Sequence, residues 1–334
     1  MNHKWRTSLG SDAMAATIQI PIAGYKSIYS IADVDRAMED SSSSKNESLK
    51  SLYEKMIRSG GMRYIIKPSS TEGIDSLYES SPNFTEVIDD FKKHMSLAIS
   101  GNEPMQITPI LLLGEPGLGK THFAKCVAKI LGTGFEFISM SSLTAGWVLS
   151  GASSQWTNAK PGKVAQSLVN GEYANPVITL DEVDKSGGDS RYDPMGALYS
   201  LLEQDTAKHF KDEFIEVPVD ASHILWIATA NDASAIPEPI LNRMNVYTIE
   251  RPDYEGSLKI ALAVYQDILN DHNWGFPTEP SQNVLEKLAE ISPRDMRKLL
   301  IDAFGNAKLA NRDMLQPNDL NTEKLGRGKS RIGF

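Results

Sequence analysis

Cysteine is almost absent from this chain. Cys126 is the only cysteine among 334 residues. A single thiol excludes an intrachain disulfide and any metal site that is built from several cysteine ligands. Proteins of this kind are typical of reducing compartments, so we expect a cytoplasmic location.

A long apolar run is also missing. No stretch approaches the roughly 20 apolar residues that a membrane-spanning helix requires. Residues 13–24 are mildly apolar, but Thr17, Gln19 and Pro21 interrupt them. We therefore predict neither a signal peptide nor a membrane partner.

Positive charge is scarce. The chain has 34 lysines and arginines against 43 aspartates and glutamates, which gives a formal net charge of -9 and a pI of about 5.3. Such a surface repels nucleic acids and anionic membranes. Nucleic-acid binding is thus disfavoured, although a local basic patch would still permit it.

The composition is that of an ordinary globular protein, with 41% hydrophobic residues, and the length suits about two domains. We predict a partly flexible N-terminal leader over residues 1–60. Strand-like and helix-like segments alternate over residues 61–250, which predicts an α/β domain with a parallel sheet covered by helices. Residues 251–322 have only helical periodicity and are predicted to form a small helical domain. Residues 323–334 read as a basic, flexible tail.

The segment from Gly114 to Thr121, which we call the phosphate loop, is predicted to bind phosphate groups. It follows an apolar run at residues 110–113 and precedes a helical pattern. Its glycines let backbone N–H groups curl around phosphates, and the helix start adds partial positive charge. Lys120 is expected to reach the β- and γ-phosphates of ATP, and Thr121 to hold Mg²⁺. A glycine-rich helix start without a ligand is the alternative. The predicted nucleotide contacts are Gly114, Glu115, Pro116, Gly117, Leu118, Gly119, Lys120, Thr121 and His122.

A second candidate element is the apolar run at residues 177–180, which ends in Asp181 and Glu182. The carboxyl ends of strands in an open α/β sheet face the ligand crevice. Asp181 is therefore expected to support Mg²⁺, and Glu182 to polarise the water that attacks the γ-phosphate. The alternative is a solvated strand end without chemistry.

Two further polar residues follow a third strand-like run, at residues 224–230. Asn231 ends that run, where an amide can orient the attacking water. The alternative is that Asn231 only caps the turn before Asp232. Arg243 follows a proline-bounded helix and could neutralise charge in a neighbouring subunit's site. Its alternative is an ordinary surface arginine.

The order of these motifs resembles that of the AAA+ ATPases, with a Pro-Arg pair at residues 293–294 in the helical region. Residues 175–185, 214–220 and 227–231 are similar to the ATPase module of Lon proteases. The resemblance covers roughly residues 80–310. It implies a P-loop AAA+ fold in which the helical domain forms a lid.

The resemblance also implies roles for individual residues. Glu182 matches the catalytic glutamate and Asn231 the first sensor. Arg243 matches an arginine finger that acts on a neighbouring subunit. Arg294 matches the second sensor, which reaches the γ-phosphate from the lid, and Arg297, one turn away, is the rival for that role.

The sequence departs from the Lon pattern in two places. The substrate-contacting pore loop of the family falls on residues 155–162, where Trp156 keeps the aromatic residue and Thr157 replaces an aliphatic one. An exposed aromatic can wedge against a threaded polypeptide, whereas the alternative is that Trp156 packs into the large domain. Lon proteases also carry a peptidase domain after the lid, and this chain stops at Phe334. We therefore expect no peptidase activity from the chain by itself.

The resemblance implies a Mg²⁺-dependent ATPase that works as a homo-hexameric ring and remodels or threads protein substrates. Two alternatives remain open: a nucleic-acid remodelling ATPase, and an ATP-dependent assembly switch for a separately encoded effector. The terminal Ile-Gly-Phe of residues 332–334 is similar to the tripeptide with which Clp-type unfoldases dock onto a peptidase ring. Contact with a nucleic acid or an anionic surface, and no function at all, are the alternatives for this tail.

Overall fold

A computed structural model describes residues 22–41, 46–142, 146–156, 158–186, 193 and 195–322. Residues 1–21 and 42–45 of the predicted leader, together with Thr157 and the predicted tail, lie outside these ranges. Within the described ranges, no helix is both long and apolar enough to cross a membrane.

The helices and strands fall into two runs along the chain. The first run contains β1 Ile22–Ser27, α1 Ile31–Asp40, α2 Glu47–Ser59, β2 Met62–Lys67, α3 Glu72–Ser80, α4 Thr85–Gly101, β3 Ile110–Leu113, α5 Lys120–Leu131, β4 Phe135–Ser139, α6 Trp147–Ser150 and α7 Lys163–Asn170. The second run contains β5 Val177–Asp181, α8 Leu198–Leu201, α9 Gln204–Ala207, β6 Phe210–Lys211, β7 Pro218–Val219, β8 Leu225–Ala230, α10 Glu238–Leu241, β9 Asn245–Thr248, α11 Tyr254–Asp271, α12 Gln282–Ala289 and α13 Pro293–Leu309.

The described residues form a central parallel sheet with the strand order β4-β5-β8-β3-β9. Successive side chains of a strand point to opposite faces, so Leu111 enters one buried core while Ile110 and Leu112 enter the other. All six residues of β8 are buried, as expected for an inner strand that has helices on both faces. The predicted helix-covered parallel sheet is therefore confirmed.

A helix with one buried apolar face precedes the phosphate loop. Phe84 and the α4 residues Val87, Ile88, Phe91, Met95 and Ala98 are all buried. The Phe84 ring stacks on Phe123 of α5, with centroids 4.4 Å apart and planes 6° from parallel. This packing holds α5, the helix that follows the phosphate loop, against the sheet.

The N-terminal segment differs from the predicted leader in its described part. Strand β1 pairs with β2, and α1 packs on α2. Val34, Tyr53 and Met56 are buried in the same core as the α/β domain, and Tyr53 Oη donates a hydrogen bond of 2.7 Å to the Ile215 carbonyl. The predicted boundary at residue 60 therefore does not separate two packing units. Both helices are amphipathic, and their apolar faces are covered by residues far away in the sequence.

The last three helices form a region with a core of its own, which includes Ile260, Tyr265, Leu288 and Phe304. The two longer helices of this region, α11 and α13, each begin at a capping side chain. Asp253 accepts a hydrogen bond from the Gly256 N–H for α11, and Ser292 accepts one from Asp295 for α13. Ser292 thus fixes where α13 begins.

Candidate nucleotide-binding site

A cleft of about 1120 Å³ lies between the carboxyl edge of the sheet and the C-terminal helices. Strand β8 lies between β5 and β3, so the ends of these three strands are adjacent. The cleft is lined by the phosphate loop after β3, the acidic pair at the end of β5 and the end of β8. Residues of α11 and α13 close its other side. This is where ligands bind in open α/β sheets.

The phosphate loop adopts a conformation that glycine allows. Gly117 and Gly119 have φ values of 88° and 92°, which other residues rarely adopt. A methyl group on Gly114 would lie 2.4 Å from the Ile249 carbonyl oxygen. The Gly114 N–H donates a 3.1 Å hydrogen bond to the Ala230 carbonyl and ties the loop to β8.

Lys120 is buried at the floor of the cleft. Its Nζ donates to the Gly114 carbonyl, to the Glu115 carbonyl at 2.9 Å and to Asn231 Oδ1 at 3.3 Å. Burial lowers the pKa of Lys120, and nearby carboxylates, Asp184 most strongly, oppose that shift. The loop therefore holds a cationic donor in a partly dry site.

Three side chains meet at one carboxylate oxygen. Thr121 Oγ1 donates to Asp181 Oδ1 at 2.7 Å, and Thr229 Oγ1 donates to the same oxygen at 2.8 Å. The hydroxyl of Thr121 and the carboxylate of Asp181 are hard oxygen ligands of the kind that Mg²⁺ prefers. The paired side chains thus fit a divalent cation.

Thr229 is a site residue that our sequence analysis missed. Its hydroxyl also accepts a 3.0 Å hydrogen bond from the Glu182 N–H, so it contacts both members of the acidic pair. The available signal was a polar residue in an apolar strand, two positions before Asn231 and therefore on the same face.

Glu182 has a left-handed backbone, with φ 56° and ψ 52°. This conformation costs a non-glycine residue roughly 1–3 kcal/mol, and such strain tends to cluster at functional sites. Its carboxylate pairs with Lys185. The hydrogen bond from Lys185, and next that from Ser141, lowers the pKa of Glu182, which keeps the carboxylate ionised.

The side chain of Asn231 faces Lys120 instead of capping the turn. The turn is capped by Asp232, whose Oδ1 accepts a 2.8 Å hydrogen bond from the Ser234 N–H. Asp184, another residue that sequence reasoning missed, accepts hydrogen bonds from the backbone N–H groups of Asn231 and Asp232, at 3.1 and 3.2 Å. These bonds fix the end of β8 beside the phosphate loop.

Arg294 and Arg297 differ in their surroundings. Arg294 lies in the first turn of α13, and a methyl group on Gly117 would lie 3.8 Å from its Cβ. Across the part of the chain that the structure describes, its guanidinium makes neither a hydrogen bond nor an ion pair. Arg297 is instead paired with Asp271 at 3.0 Å. Only Arg294 is both beside the loop and unengaged.

Arg243 is not among the residues that line this cleft. Its Nη1 donates to the Pro239 carbonyl, and its guanidinium lies 5.9 Å from the centroid of the Tyr199 ring. Its Nε lies 2.8 Å from Glu203 Oε1, off the direction of a hydrogen bond. The structure therefore does not bring Arg243 to the phosphate loop of its own chain.

The remaining predicted nucleotide contacts lie in the phosphate loop and in the first turn of α5. Pro116 and Leu118 line the cleft, and Glu115 forms an ion pair with Arg251. The His122 and Cys126 side chains are 3.4 Å apart on α5 and also line the cleft.

Trp156 lies on a different surface from the cleft. It is 53% exposed and contacts Trp147 edge-to-face at 5.9 Å. Its expected partner in the loop, Thr157, lies outside the described residues. The alternative in which Trp156 packs into the domain core is not observed.

Comparison with known proteins supports the same reading of the fold. Residues 110–250 match the family model described as "ATPase family associated with various cellular activities (AAA)". A Lon protease of Halothermothrix orenii is 36% identical over 180 residues, which are 53% of this chain and 23% of that protein. Lon protease 1 of Thermus thermophilus is 34% identical over 214 residues, covering 64% of this chain and 26% of that protein.

A solved structure shares the fold at low sequence identity. The closed state of Hsp104, reconstructed with ATPyS and FITC casein, superposes with a TM-score of 0.58 at 17% identity, covering 74% of this chain and 51% of that one. The chain spans about a quarter of the length of the Lon proteases that it matches, with 23% and 26% in the two cases above. Residues 110–250 therefore match the AAA family of ATPases, and the chain is similar to one part of the Lon proteases.

Proposed function

We propose that this chain binds ATP and Mg²⁺ in the cleft and hydrolyses ATP to ADP and phosphate. The observation that carries the proposal is the hydrogen-bonded group of Thr121, Asp181 and Thr229 beside the buried Lys120. It combines a cationic phosphate donor with oxygen ligands for a hard cation. We expect this activity in the cytoplasm.

The phosphate loop and Lys120 bind the triphosphate. Backbone N–H groups of the loop and the start of α5 face the phosphate oxygens, and the Lys120 ammonium adds a full positive charge. The oxygens of Thr121 and Asp181 hold Mg²⁺. When bound, that ion neutralises charge on the phosphates.

Glu182 activates the attacking water. Its lowered pKa leaves the carboxylate ionised, and its backbone is held by Thr229. The water oxygen forms a bond to the γ-phosphorus while the bond to the bridging oxygen of ADP breaks, and Glu182 accepts the water proton. Asn231 orients this water, and Arg294 contacts the γ-phosphate from α13.

The active form is a homo-hexameric ring in which Arg243 completes the site of a neighbouring subunit. The position of Arg243 outside its own cleft supports this role. A cation supplied from a second chain stabilises the charge that develops on the γ-phosphate. An isolated subunit would then have an incomplete site.

The ring remodels or threads protein substrates, and exposed Trp156 contacts them. The similarity to Lon proteases and the exposure of a large aromatic side chain support this choice. The net charge of -9 disfavours a nucleic-acid substrate. The second candidate is an ATP-dependent assembly switch for a separately encoded effector. This candidate would be favoured if the chain captured a partner protein in an ATP-dependent way without moving it.

Two variants test the nucleotide chemistry. Lys120→Ala should weaken ATP binding by about 100-fold, because a charged phosphate contact is lost. Glu182→Gln should keep ATP affinity and lower turnover by about 100-fold or more, because only the general base is lost. Isothermal titration and steady-state phosphate release measure the two effects.

Lys125→Ala is the matched control, since it removes an exposed lysine from the same helix. It should bind and hydrolyse ATP like the unaltered chain. Equal ATP affinity in Lys120→Ala and the unaltered chain would contradict the site.

A further inference from the structure

Trp156 lies on a loop whose two ends are close together. The segment 151–162 connects α6 to α7, and residue 157 within it is outside the described part of the chain. The Ala152 N–H donates a 3.1 Å hydrogen bond to the Lys160 carbonyl, which closes the neck of the loop. We call residues 151–162 the Trp156 loop.

The base of the Trp156 loop rests on a buried carboxylate. Asp212 has no exposed surface, and its Oδ2 accepts a 2.8 Å hydrogen bond from the Gly162 N–H. Its Oδ1 accepts hydrogen bonds of 2.9 and 3.2 Å from the N–H groups of Phe214 and Ile215. Among the described residues, no lysine, arginine or histidine pairs with Asp212. The carboxylate is thus held only by backbone donors.

The other end of the loop is held by the residue next to Asp212. The Glu213 N–H donates a 2.7 Å hydrogen bond to the Ser150 carbonyl. A methyl group on Gly151 would lie 2.3 Å from Asp212 Oδ1, and one on Gly162 would lie 2.1 Å from the Leu149 carbonyl oxygen. Both ends therefore approach so closely that only glycine fits.

Helix α2 supports this arrangement from the N-terminal side. Tyr53 Oη donates to the Ile215 carbonyl at 2.7 Å, directly beside the Asp212 hydrogen bonds. Asn46 Nδ2 donates to the Ser154 carbonyl at 2.8 Å, within the loop itself. The segment that anchors the loop is thus itself held in place by distant residues.

We propose that Asp212 is a positioning residue, which hydrogen-bonds the Gly162 end of the Trp156 loop and packs against its Gly151 end, so that Trp156 is presented to a protein substrate. The proposal rests on the proposed function of Trp156. Asp212 does not line the nucleotide cleft, so it affects the reaction only through the loop.

Asparagine in place of Asp212 has the same shape as aspartate, but it replaces one of the two acceptor oxygens with a donor nitrogen. An amide has one acceptor oxygen, and its nitrogen is a donor. If Nδ2 faces Gly162, the bond to the loop is lost. If Nδ2 faces Phe214 and Ile215, the anchoring turn loses two bonds. A buried N–H without an acceptor is unfavourable in either case.

The test compares Asp212→Asn with Glu213→Gln, which removes the charge of an exposed neighbour. Amide hydrogen exchange should become about tenfold faster in peptides covering residues 150–156 and 158–162, as expected when a buried hydrogen bond is lost. Peptides from β3 and α5 should exchange at the rate of the unaltered chain. The Glu213→Gln variant should show no change in either region.

Activity is measured with unfolded casein as the probe. Basal ATPase activity and the KM for ATP should stay within about twofold in Asp212→Asn, because the cleft is untouched. The casein concentration for half-maximal stimulation should rise at least about fivefold, as it should in Trp156→Ala. This separation of casein from ATP parameters distinguishes a positioning role from a general loss of structure.

The exchange data test the role of Asp212, and the casein data test the role of Trp156. Exchange that is unchanged in the loop, or faster throughout the chain, overturns the role of Asp212. Normal casein stimulation in Trp156→Ala contradicts the proposed role of Trp156, while local loosening in Asp212→Asn would still establish the anchor. If Asp212→Asn does not fold, Gly151→Ala disrupts the contact between Gly151 and Asp212 by adding a methyl group on the loop. It should give the same local exchange pattern. Unchanged exchange in that variant overturns the anchor.

Discussion

At the scale of residues, Thr229 contacts both members of the acidic pair, Asp181 and Glu182, which have different proposed roles. Its hydroxyl donates to Asp181 and accepts from the Glu182 N–H, although it is only 2% exposed and belongs to a strand of otherwise apolar character. One hydroxyl thus orients the proposed metal ligand and supports the left-handed backbone of the proposed base. A residue with two such bonds should matter for turnover more than for binding.

We predict that Thr229→Val lowers kcat by about 10- to 100-fold, since the isosteric valine leaves the Glu182 N–H without its acceptor and frees Asp181 Oδ1 from one donor. The KM for ATP should change by less than about threefold, because Lys120 and the loop are untouched. Steady-state phosphate release over a range of ATP concentrations measures both parameters.

Thr179→Val is the matched control for this prediction. Thr179 is also buried in an inner strand, but its hydroxyl has no hydrogen-bond partner within the described chain. Replacing it should leave kcat unchanged and the free energy of unfolding equal or higher. A normal kcat in Thr229→Val would show that Asp181 and Glu182 hold their positions without this hydroxyl.

At the scale of elements, the start of α13 decides which arginine is available to a ligand. Ser292 caps the helix and Pro293 occupies its first turn, so Arg294 lies beside Gly117 while Arg297 points toward Asp271. The two residues are one turn apart on the same helix. The difference between them arises from where α13 begins and from what α11 presents to it.

We predict that Arg294→Ala lowers kcat/KM for ATP by at least about tenfold, because a charge-assisted contact with phosphate is lost. Arg297→Ala should change it by less than about threefold, because an exposed ion pair contributes only about 0–1 kcal/mol. The same kinetic assay on both variants measures the contrast. A larger loss in Arg297→Ala would reverse the assignment.

At the scale of the whole molecule, we propose that the site is complete only in an assembly. The cleft contains Lys120, Asp181 and Glu182, whereas Arg243 lies outside it beside Glu203 and Tyr199. A charged residue that is held away from its own site and near the surface suits a contact with another copy of the chain. Activity should then depend on subunit concentration.

We predict that specific ATPase activity rises with protein concentration, and that Arg243→Ala lowers kcat by at least about 100-fold with little change in ATP affinity. The exposed Lys208→Ala variant is the control for loss of one positive charge in this region. Analytical ultracentrifugation at the assay concentrations relates activity to assembly.

Mixing two inactive variants tests whether Arg243 acts between subunits. Arg243→Ala retains Glu182, and Glu182→Gln retains Arg243, so mixed rings contain some complete sites. Activity of the mixture should exceed that of either variant alone. Activity no higher than the average of the two would place the role of Arg243 within its own subunit.

The sequence by itself determined the local features of this protein. Gly117 and Gly119 specify a phosphate loop because their positive φ values are accessible to glycine, and β8 is buried because all its residues up to Ala230 are small, apolar or aromatic apart from one threonine. Apolar runs likewise predicted the inner strands, since these patterns follow from the geometry of one segment.

Only the tertiary structure decided the relations between distant segments. The packing of α1 and α2 on the α/β domain, the two bonds of Thr229 and the contact of Asp212 with Gly162 each join residues that no local pattern links. The same is true of the difference between Arg294 and Arg297. A side chain's helical or strand position follows from its neighbours in sequence, but its hydrogen-bond partner depends on how the whole chain packs.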